Sequence, residues 1–467
     1  MNVLLIRPDA HIQAVPPPLG LLYLASSLQR DGDHQVKIID GRLFELDPQA
    51  ILDRADGFDP DIIGITSLTV EGPYAHEMAA ACKKRWPSRP VVMGGPYATS
   101  DVEKAMSDPL VDFCFQGEAE VSFSTWIKSQ MGDVDLMAVH GLAYRSDGQV
   151  CTTPNGYYVE NLDSIPFPAW DLIDVEDYFK KHFMRIRTMN PHQLRNRAIP
   201  MMSSRGCPYR CSYCHNIFGK KLRHRSVENI LAELKMLKSK YNVEEVEFLD
   251  DIFNLDIPWA KQVFRAVIDH KLNMKFSFPN GLRSDCFDDE LLDLMKEGGV
   301  YRMCFAIESG SKRIQKLVHK NLNLEKARVN ISKAEQRGFF IGGFFIIGFP
   351  DETEAEVWKT IQFACKSKLH TAVFFIMQPF PKTEVWDMAV QAGMPVEVDF
   401  TGYYQVSINL SRIPTTRLER LRSLALLKFY LNPVRLFHFA CRAPKFWKRS
   451  VEMASILFLS VFNKWRG

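Results

Sequence analysis

The chain has 467 residues, 46% of them hydrophobic and 24% charged. That is room for about three domains, and the composition excludes a disordered, collagenous or low-complexity protein. Ten cysteines are too dilute for a disulfide-stapled scaffold, and the net charge of +3 hides an asymmetry: residues 411–467 hold 12 Lys/Arg against 2 Asp/Glu, the remainder 46 against 53.

The apolar start Val3–Ile6 is too short for a signal peptide and meets Arg7-Pro8 at once. No stretch reaches the roughly 18 to 20 apolar residues of a spanning helix. A cytoplasmic protein with reduced thiols is expected. Val3–Ile6 reads as a strand buried on both faces. Pro16-Pro17-Pro18 leads into a helix from Gly20 to Arg30. Further strands follow at Val36–Ile39, Ile62–Thr66, Val91–Met93 and Val111–Phe115, with a helix near Pro73–Arg85. Alternation of this kind predicts a doubly wound parallel sheet over residues 1–138, with its ligand beyond the carboxyl ends of the strands.

Residues 139–195 read as a linker with a hairpin, from the turns Ser146-Asp147-Gly148 and Pro154-Asn155-Gly156 and the stiff Pro166-Phe167-Pro168. A second alternating series, residues 196–395, places strands at 199–203, 244–249, 274–279, 302–307, 341–347 and 372–378. Six strand–helix units make an incomplete eight-fold barrel, whose site belongs at the C-terminal strand ends. Residues 396–467 read as a basic helical region. Its apolar stretches Leu418–Tyr430, Val434–Phe439 and Val451–Phe462 are broken by Pro433 and Pro444. Lys445, Trp447, Lys448, Arg449, Lys464, Trp465 and Arg466 flank them. That pattern suits either peripheral contact with a membrane interface or a solvated helical cap. Its apolar interleaving argues against nucleic-acid binding.

Directly after the first barrel strand stands Cys207-Pro208-Tyr209-Arg210-Cys211-Ser212-Tyr213-Cys214-His215. Three thiolates spaced C-x3-C-x2-C on one loop are soft ligands, suited to iron–sulfur clusters or zinc. They can hold three irons of a cubane and leave the fourth open to chelate an amino acid. Structural zinc with His215 as fourth ligand is the alternative, although His215 adjoins Cys214 too closely for the usual spacing.

This spacing resembles the signature of the radical S-adenosylmethionine (SAM) superfamily. The resemblance implies a partial (β/α)6 barrel and a 4Fe-4S cluster on Cys207, Cys211 and Cys214. It also implies reductive cleavage of SAM to a 5′-deoxyadenosyl radical, with an electron donor such as flavodoxin or ferredoxin. It puts Tyr213 near the adenine, and Asp250 and Asp251 toward the SAM amino group, where a helix cap is the plainer role for either acid. Arg283 would reach the SAM carboxylate or serve as a surface or substrate contact. Glu308, followed by Ser309, would contact the ribose or methionine. Gly348 and Pro350 would lie on the adenine side, or form an ordinary strand-to-helix turn.

The early segments Pro18–Ala25 and Val91–Thr99 resemble the cobalamin-binding domain fused to many such enzymes. A flat corrin needs close backbone approach, which paired glycines permit. The implied contacts are Thr66, Ser67 and Leu68; Gly94, Gly95 and Tyr97; Gln116, Gly117 and Glu118. The alternative is a Rossmann-like sheet without that ligand; no G-x-G-x-x-G run follows the first strand, against dinucleotide binding. Asp9-Ala10-His11-Ile12-Gln13-Ala14 stands where other cobalamin proteins carry a cobalt-ligating histidine, but Ala14 replaces the motif's glycine, so His11 reads as a loop residue.

The implied fold is therefore α/β: an N-terminal doubly wound, Rossmann-like cobalamin-binding sheet, a partial radical SAM barrel and a C-terminal helical region. The implied activity is C-methylation of an unactivated carbon, with methylcobalamin giving its methyl to a substrate radical and a second SAM restoring it. Phe400, Tyr403 and Tyr404 hint at a large or lipophilic small-molecule substrate. Ring formation, ring contraction or oxygen insertion on a tetrapyrrole or natural product uses the same cofactor pair and stays open. A non-catalytic cobalamin-responsive module with a structural metal is the reading from another class.

Overall fold

The computed structural model describes residues 1–11, 15–154, 158–184, 192–215, 217–395 and 406–444. The chain divides into two compact units, Met1–Met189 with His215–Arg225, and Asn190–Cys214 with Ser226–Gly467.

The first unit is built on a seven-stranded sheet in the order β2-β1-β3-β4-β5-β6-β7. The strands are β1 (Asn2–Arg7), β2 (Gln35–Asp40), β3 (Ile62–Thr66), β4 (Val91–Gly94), β5 (Phe113–Phe115), β6 (Leu142–Ser146) and β7 (Gln149–Thr152). β1 to β5 are parallel. Their side chains alternate between two cores. Leu4, Ile6, Ile63, Ile65 and Met93 join Met78 on one face, while Val3, Leu5, Val92 and Phe115 join Leu21 and Trp126 on the other. A strand sandwiched this way has no polar face, which is why Val3–Ile6 reads as a continuous apolar run.

The hairpin expected within a linker is instead the antiparallel edge of this sheet, β6 pairing with β5 and β7 with β6. Asp147 and Gly148 both take positive φ (50° and 77°), as a two-residue hairpin turn requires. The second expected turn includes Asn155 and Gly156, outside the described residues.

In the second unit six strands pair in parallel and in sequence order: β8 (Ala198–Met201), β9 (Glu245–Phe248), β10 (Lys275–Leu282), β11 (Val300–Glu308), β12 (Phe340–Ile347) and β13 (Thr371–Ile376). β8 and β13 are edges, so the barrel is an open arc. Helices between the strands begin at side-chain caps, among them Ser226, Asp256, Asp288 and Asn323. Phe248, Phe276 and Phe278 stack across β9 and β10 at 5.2–5.8 Å and meet Phe253 from the turn after β9 and Phe264 from the following helix.

The helix Thr415–Tyr430 turns Leu418, Leu421, Leu426 and Phe429 into the protein. Its Tyr430 hydroxyl bonds both backbone groups of Ala372, and Arg422 Nε donates to Phe374 O. It thereby covers the unpaired edge of β13. One face of the apolar stretch 418–430 is thus core, while Leu424 is exposed. No described helix is long and apolar enough to cross a membrane. Lys445, Trp447, Lys448, Arg449, Val451–Phe462, Lys464, Trp465 and Arg466 lie outside the described residues, as do Phe400, Tyr403 and Tyr404.

Candidate functional site at the strand ends

The cysteine loop starts immediately after β8 and is pinned by the acids that end β9. Asp250 Oδ1 accepts from Ser203 N (3.1 Å), Ser203 Oγ (2.8 Å) and Ser204 Oγ (2.6 Å). Asp251 Oδ2 accepts from Gly206 N at 2.9 Å, where φ of 87° turns the chain into the loop. Farther along, Ser212 N donates to Val318 O and Ser212 O accepts from Val385 N, both at 3.1 Å. The loop is therefore tied to three separate elements before any ligand binds.

Burial pushes the Cys207 thiol up; the Tyr209 backbone amide opposes this, while Asp251 and Cys211 add to it. Cys214 in turn feels the charges of both Cys211 and Cys207. None of the ten cysteines forms a disulfide. Among the described residues no three His, Cys, Asp or Glu side chains converge tightly enough for a single metal ion. Three soft thiols on one loop, each within reach of its neighbours' charge, fit a cluster with one iron left to a substrate.

Asp250 is buried, and burial raises its carboxyl to about 6 against the bonds from Ser204 and Ser203. Its Oδ2 is buried without a protein partner. A carboxylate oxygen with unused acceptor capacity suits an ammonium.

Beside the loop a cavity of about 330 Å³ opens between strand ends, walled by Tyr213, Asn280, Glu308, Phe344, Phe375 and Gln378 among others. Glu308 ends β11 with φ of 66°, a strained conformation for a non-glycine residue and one that clusters at functional sites. Burial pushes its carboxyl up, while Lys320 and Tyr213 act the other way. Lys320 Nζ lies 3.4 Å from Glu308 Oε1, and its charge also reaches Cys207 and Cys214. Sequence reasoning missed Lys320. It sits in a loop after a short helix, and its only sequence signal is an ordinary His319-Lys320-Asn321 stretch. Its neighbours take positive φ (55° and 50°), which holds the turn that presents it.

Tyr213 packs on Phe349 with ring centroids 5.4 Å apart. Gly348 has φ of 88°, and a Cβ there would stand 2.7 Å from Leu418 Cδ2. Glu352 accepts from Gly348 N (2.6 Å) and Phe349 N (3.1 Å), so the Gly348–Pro350 turn is fixed from beneath.

Two expected ligand contacts are otherwise engaged. Arg283 pairs with Asp285 (2.8 Å), donates to Lys320 O (3.0 Å) and Asn321 O (3.1 Å), and stacks 4.0 Å from the Tyr209 ring. These contacts brace the cysteine loop and the Lys320 turn. Ser309 is fully buried against Thr360 and accepts from Ser311 N, a packing role.

In the first unit the loops after β3, β4 and β5 are laced together. Tyr97 N donates to Ser67 O (3.1 Å), Thr99 Oγ1 to Gly95 O (2.8 Å) and Gly117 N to Thr99 Oγ1 (3.0 Å). Gly95 has φ of 86°, and a Cβ there would be 2.6 Å from Thr66 Oγ1. At Gly94 a Cβ would meet nothing within 4 Å. One glycine lets two loops close on each other and the other leaves open floor, with Leu68 exposed beside them. This suits a flat macrocycle. Gln116 N is tied to Gly141 O at 2.8 Å.

Tyr97 and Glu118 do not offer side chains to that floor. Tyr97 is buried, its hydroxyl 3.0 Å from His76 Nε2, and its ring fills the space where Gly72 lacks a Cβ. Glu118 is buried in an ion pair with Arg223. His11 lies on an exposed loop, 3.4 Å from Asp9 and edge-on to Tyr74; Ala14 is outside the described residues.

Residues 201–364 match the model of the radical SAM superfamily, and residues 9–126 that of the B12 binding domain. An uncharacterized methyltransferase of Pyrococcus horikoshii is 32% identical over 93% of this chain and 93% of its own length. The cytidylyl-2-hydroxyethylphosphonate methyltransferase of Streptomyces wedmorensis is 30% identical over 84% and 82%. The anaerobic magnesium-protoporphyrin IX monomethyl ester cyclase of Rubrivivax gelatinosus is 25% identical over 86% and 72%. Among solved structures, the radical SAM methyltransferase TsrM of Kitasatospora setae, with cobalamin and a 4Fe-4S cluster bound, has the same fold. Its TM-score is 0.70 at 17% identity, over 84% of this chain and 78% of that one.

Proposed function

Because the chain belongs to the radical SAM superfamily and carries a B12 binding domain, we propose that it is a C-methyltransferase acting at an unactivated carbon of a large or lipophilic small molecule. Its cofactors are a 4Fe-4S cluster, SAM and cobalamin. When bound, they supply a 5′-deoxyadenosyl radical for hydrogen abstraction and a cobalt-borne methyl group for transfer.

In this reading Cys207, Cys211 and Cys214 hold three irons. Asp250 Oδ2, buried and partnerless, takes the SAM ammonium, with Asp251 fixing the turn below. Lys320 replaces Arg283 as the cation facing the SAM carboxylate, since Arg283 is spent on Asp285 and two carbonyls. Glu308 and Tyr213 line the cavity toward the ribose and adenine, and Gly348–Pro350 back that wall. Thr66–Leu68, Gly94, Gly95 and Gln116–Gly117 form the corrin floor. The protein contributes positioning and dryness. Phe344, Phe375 and Phe380 wall the cavity with aromatic carbon, which keeps water from a radical.

The observation that carries the reading is the cysteine loop opening beside a largely apolar cavity at the barrel's strand ends. Relatives that are methyltransferases by name, matching more than four-fifths of the chain, support the methyl transfer. A thiol-held cluster also asks for a reducing compartment and a one-electron donor such as flavodoxin or ferredoxin. The test is anoxic turnover of a metabolite pool with methyl-deuterated SAM, and the expected result is a product heavier by an intact labelled methyl. The 25% identity to a cyclase favours a second reading, ring formation or oxidative rearrangement, in which deoxyadenosine appears and no product carries label.

A further inference from the structure

Resting on the cobalamin reading above, we propose that residues 217–225, a few positions beyond the last cluster cysteine, form a wall of the cobalamin site. Arg223 and Glu118 act in it as positioning residues that lock this wall to the Gln116–Glu118 loop. No recognition motif marks the segment, and the B12-domain match ends at residue 126.

The lock uses the four Nη hydrogens of Arg223, while its Nε is buried without a partner. Arg223 Nη2 donates to Glu118 Oε1 at 2.5 Å and Nη1 to Oε2 at 3.0 Å, with the two side chains 3% and 0% exposed. The same guanidinium donates to Val159 O and Phe218 O, each at 2.7 Å, and lies 5.3 Å from the Tyr158 ring. Glu118 Oε2 accepts a further bond from Val159 N at 2.8 Å.

Two charges taken fully out of water are tolerated only where this many of their donors and acceptors are used. The parallel sheet does not need the lock, since β1 to β5 pair without it. What the lock does hold is the segment that carries the short strand Arg223–His224, set against the carboxyl end of β5, where sheets of this class bind ligands.

Packing at two glycines of positive φ accompanies the lock. Gly117 (φ 79°) brings its missing Cβ within 3.9 Å of Ile217 O, and Gly219 (φ 80°) has its own missing Cβ 2.7 Å from the Tyr158 ring. The Lys221–Glu160 pair beside it has side chains 70% and 68% exposed, so that contact should be worth little.

The test is hydrogen–deuterium exchange on the full-length, anoxically prepared protein titrated with hydroxocobalamin. Amides in 217–225 and 116–118 should slow together with those in 66–68 and 94–97. Protection of 66–68 and 94–97 without 217–225 overturns the inference. Protection of none of these loops overturns the cobalamin assignment instead.

As a second measurement, Arg223→Gln should weaken cobalamin binding at least tenfold in a spectroscopic titration, with iron content retained. Arg223→Lys should recover part of the loss. If Arg223→Gln does not fold, Tyr158→Leu keeps the ion pair and removes the ring beneath Gly219, and it must show the same direction of loss. Unchanged affinity in the folded variant sinks the proposal.

Discussion

Gly94→Ala separates the proposed corrin floor from the fold that carries it. Gly94 ends β4 without a positive φ, and an added Cβ meets no atom within 4 Å. The unliganded protein should therefore change in stability by no more than about 0.5 kcal/mol. A methyl raised under a closely seated macrocycle is overpacking, worth about 1–3 kcal/mol, so the cobalamin Kd should rise about fivefold to 150-fold. Gly95→Ala is the complement. Its Cβ would stand 2.6 Å from Thr66 Oγ1 with φ at 86°, so it should destabilise the unliganded protein by about 1–2 kcal/mol or more before cobalamin is added. Thermal denaturation of both variants and spectroscopic titration with hydroxocobalamin read the two effects. Wild-type cobalamin affinity in Gly94→Ala would refute the placement of the floor.

Lys320→Met should raise the KM for SAM more than it lowers kcat, and Lys320→Arg should restore part of it; unchanged SAM affinity by equilibrium dialysis would return the carboxylate contact to another residue. Asp250, raised to about 6 by burial, must be ionised to hold an ammonium. SAM affinity should therefore hold above that value and fall as pH drops through it, and Asp250→Asn should flatten the profile while weakening binding throughout. The raised thiol of Cys207 gives up its proton on iron binding, so cluster loading under anoxic conditions should improve from pH 7 to pH 8.5, followed by iron content. Arg283→Met should lower thermal stability and cluster retention together, because it releases the Lys320 turn and the support under Tyr209.

Both sheets were legible because parallel strands buried on two faces leave uninterrupted apolar runs, as in Val3–Ile6 and Phe340–Ile347. The hairpin's sheet membership was not, because Leu142–Ser146 pairs with β5 through backbone hydrogen bonds that carry no side-chain signature. At the site, three cysteines spaced on one loop were readable as a soft ligand set, the basis of the proposed cluster site. Choices made by tertiary packing were not. Arg283 and Glu118 look like ligand-facing charges until Asp285 and Arg223 are seen to hold them. Lys320 looks like a surface lysine until the fold brings it to Glu308.

The most direct measurement is the fate of SAM on anoxically prepared, reduced protein, read alongside iron and sulfide content. Four irons and four sulfides per chain with formation of 5′-deoxyadenosine, both lost in Cys207→Ser, Cys211→Ser or Cys214→Ser, are what the account requires. Intact SAM on a protein with a full complement of iron, or deoxyadenosine that persists without Cys211, would contradict it.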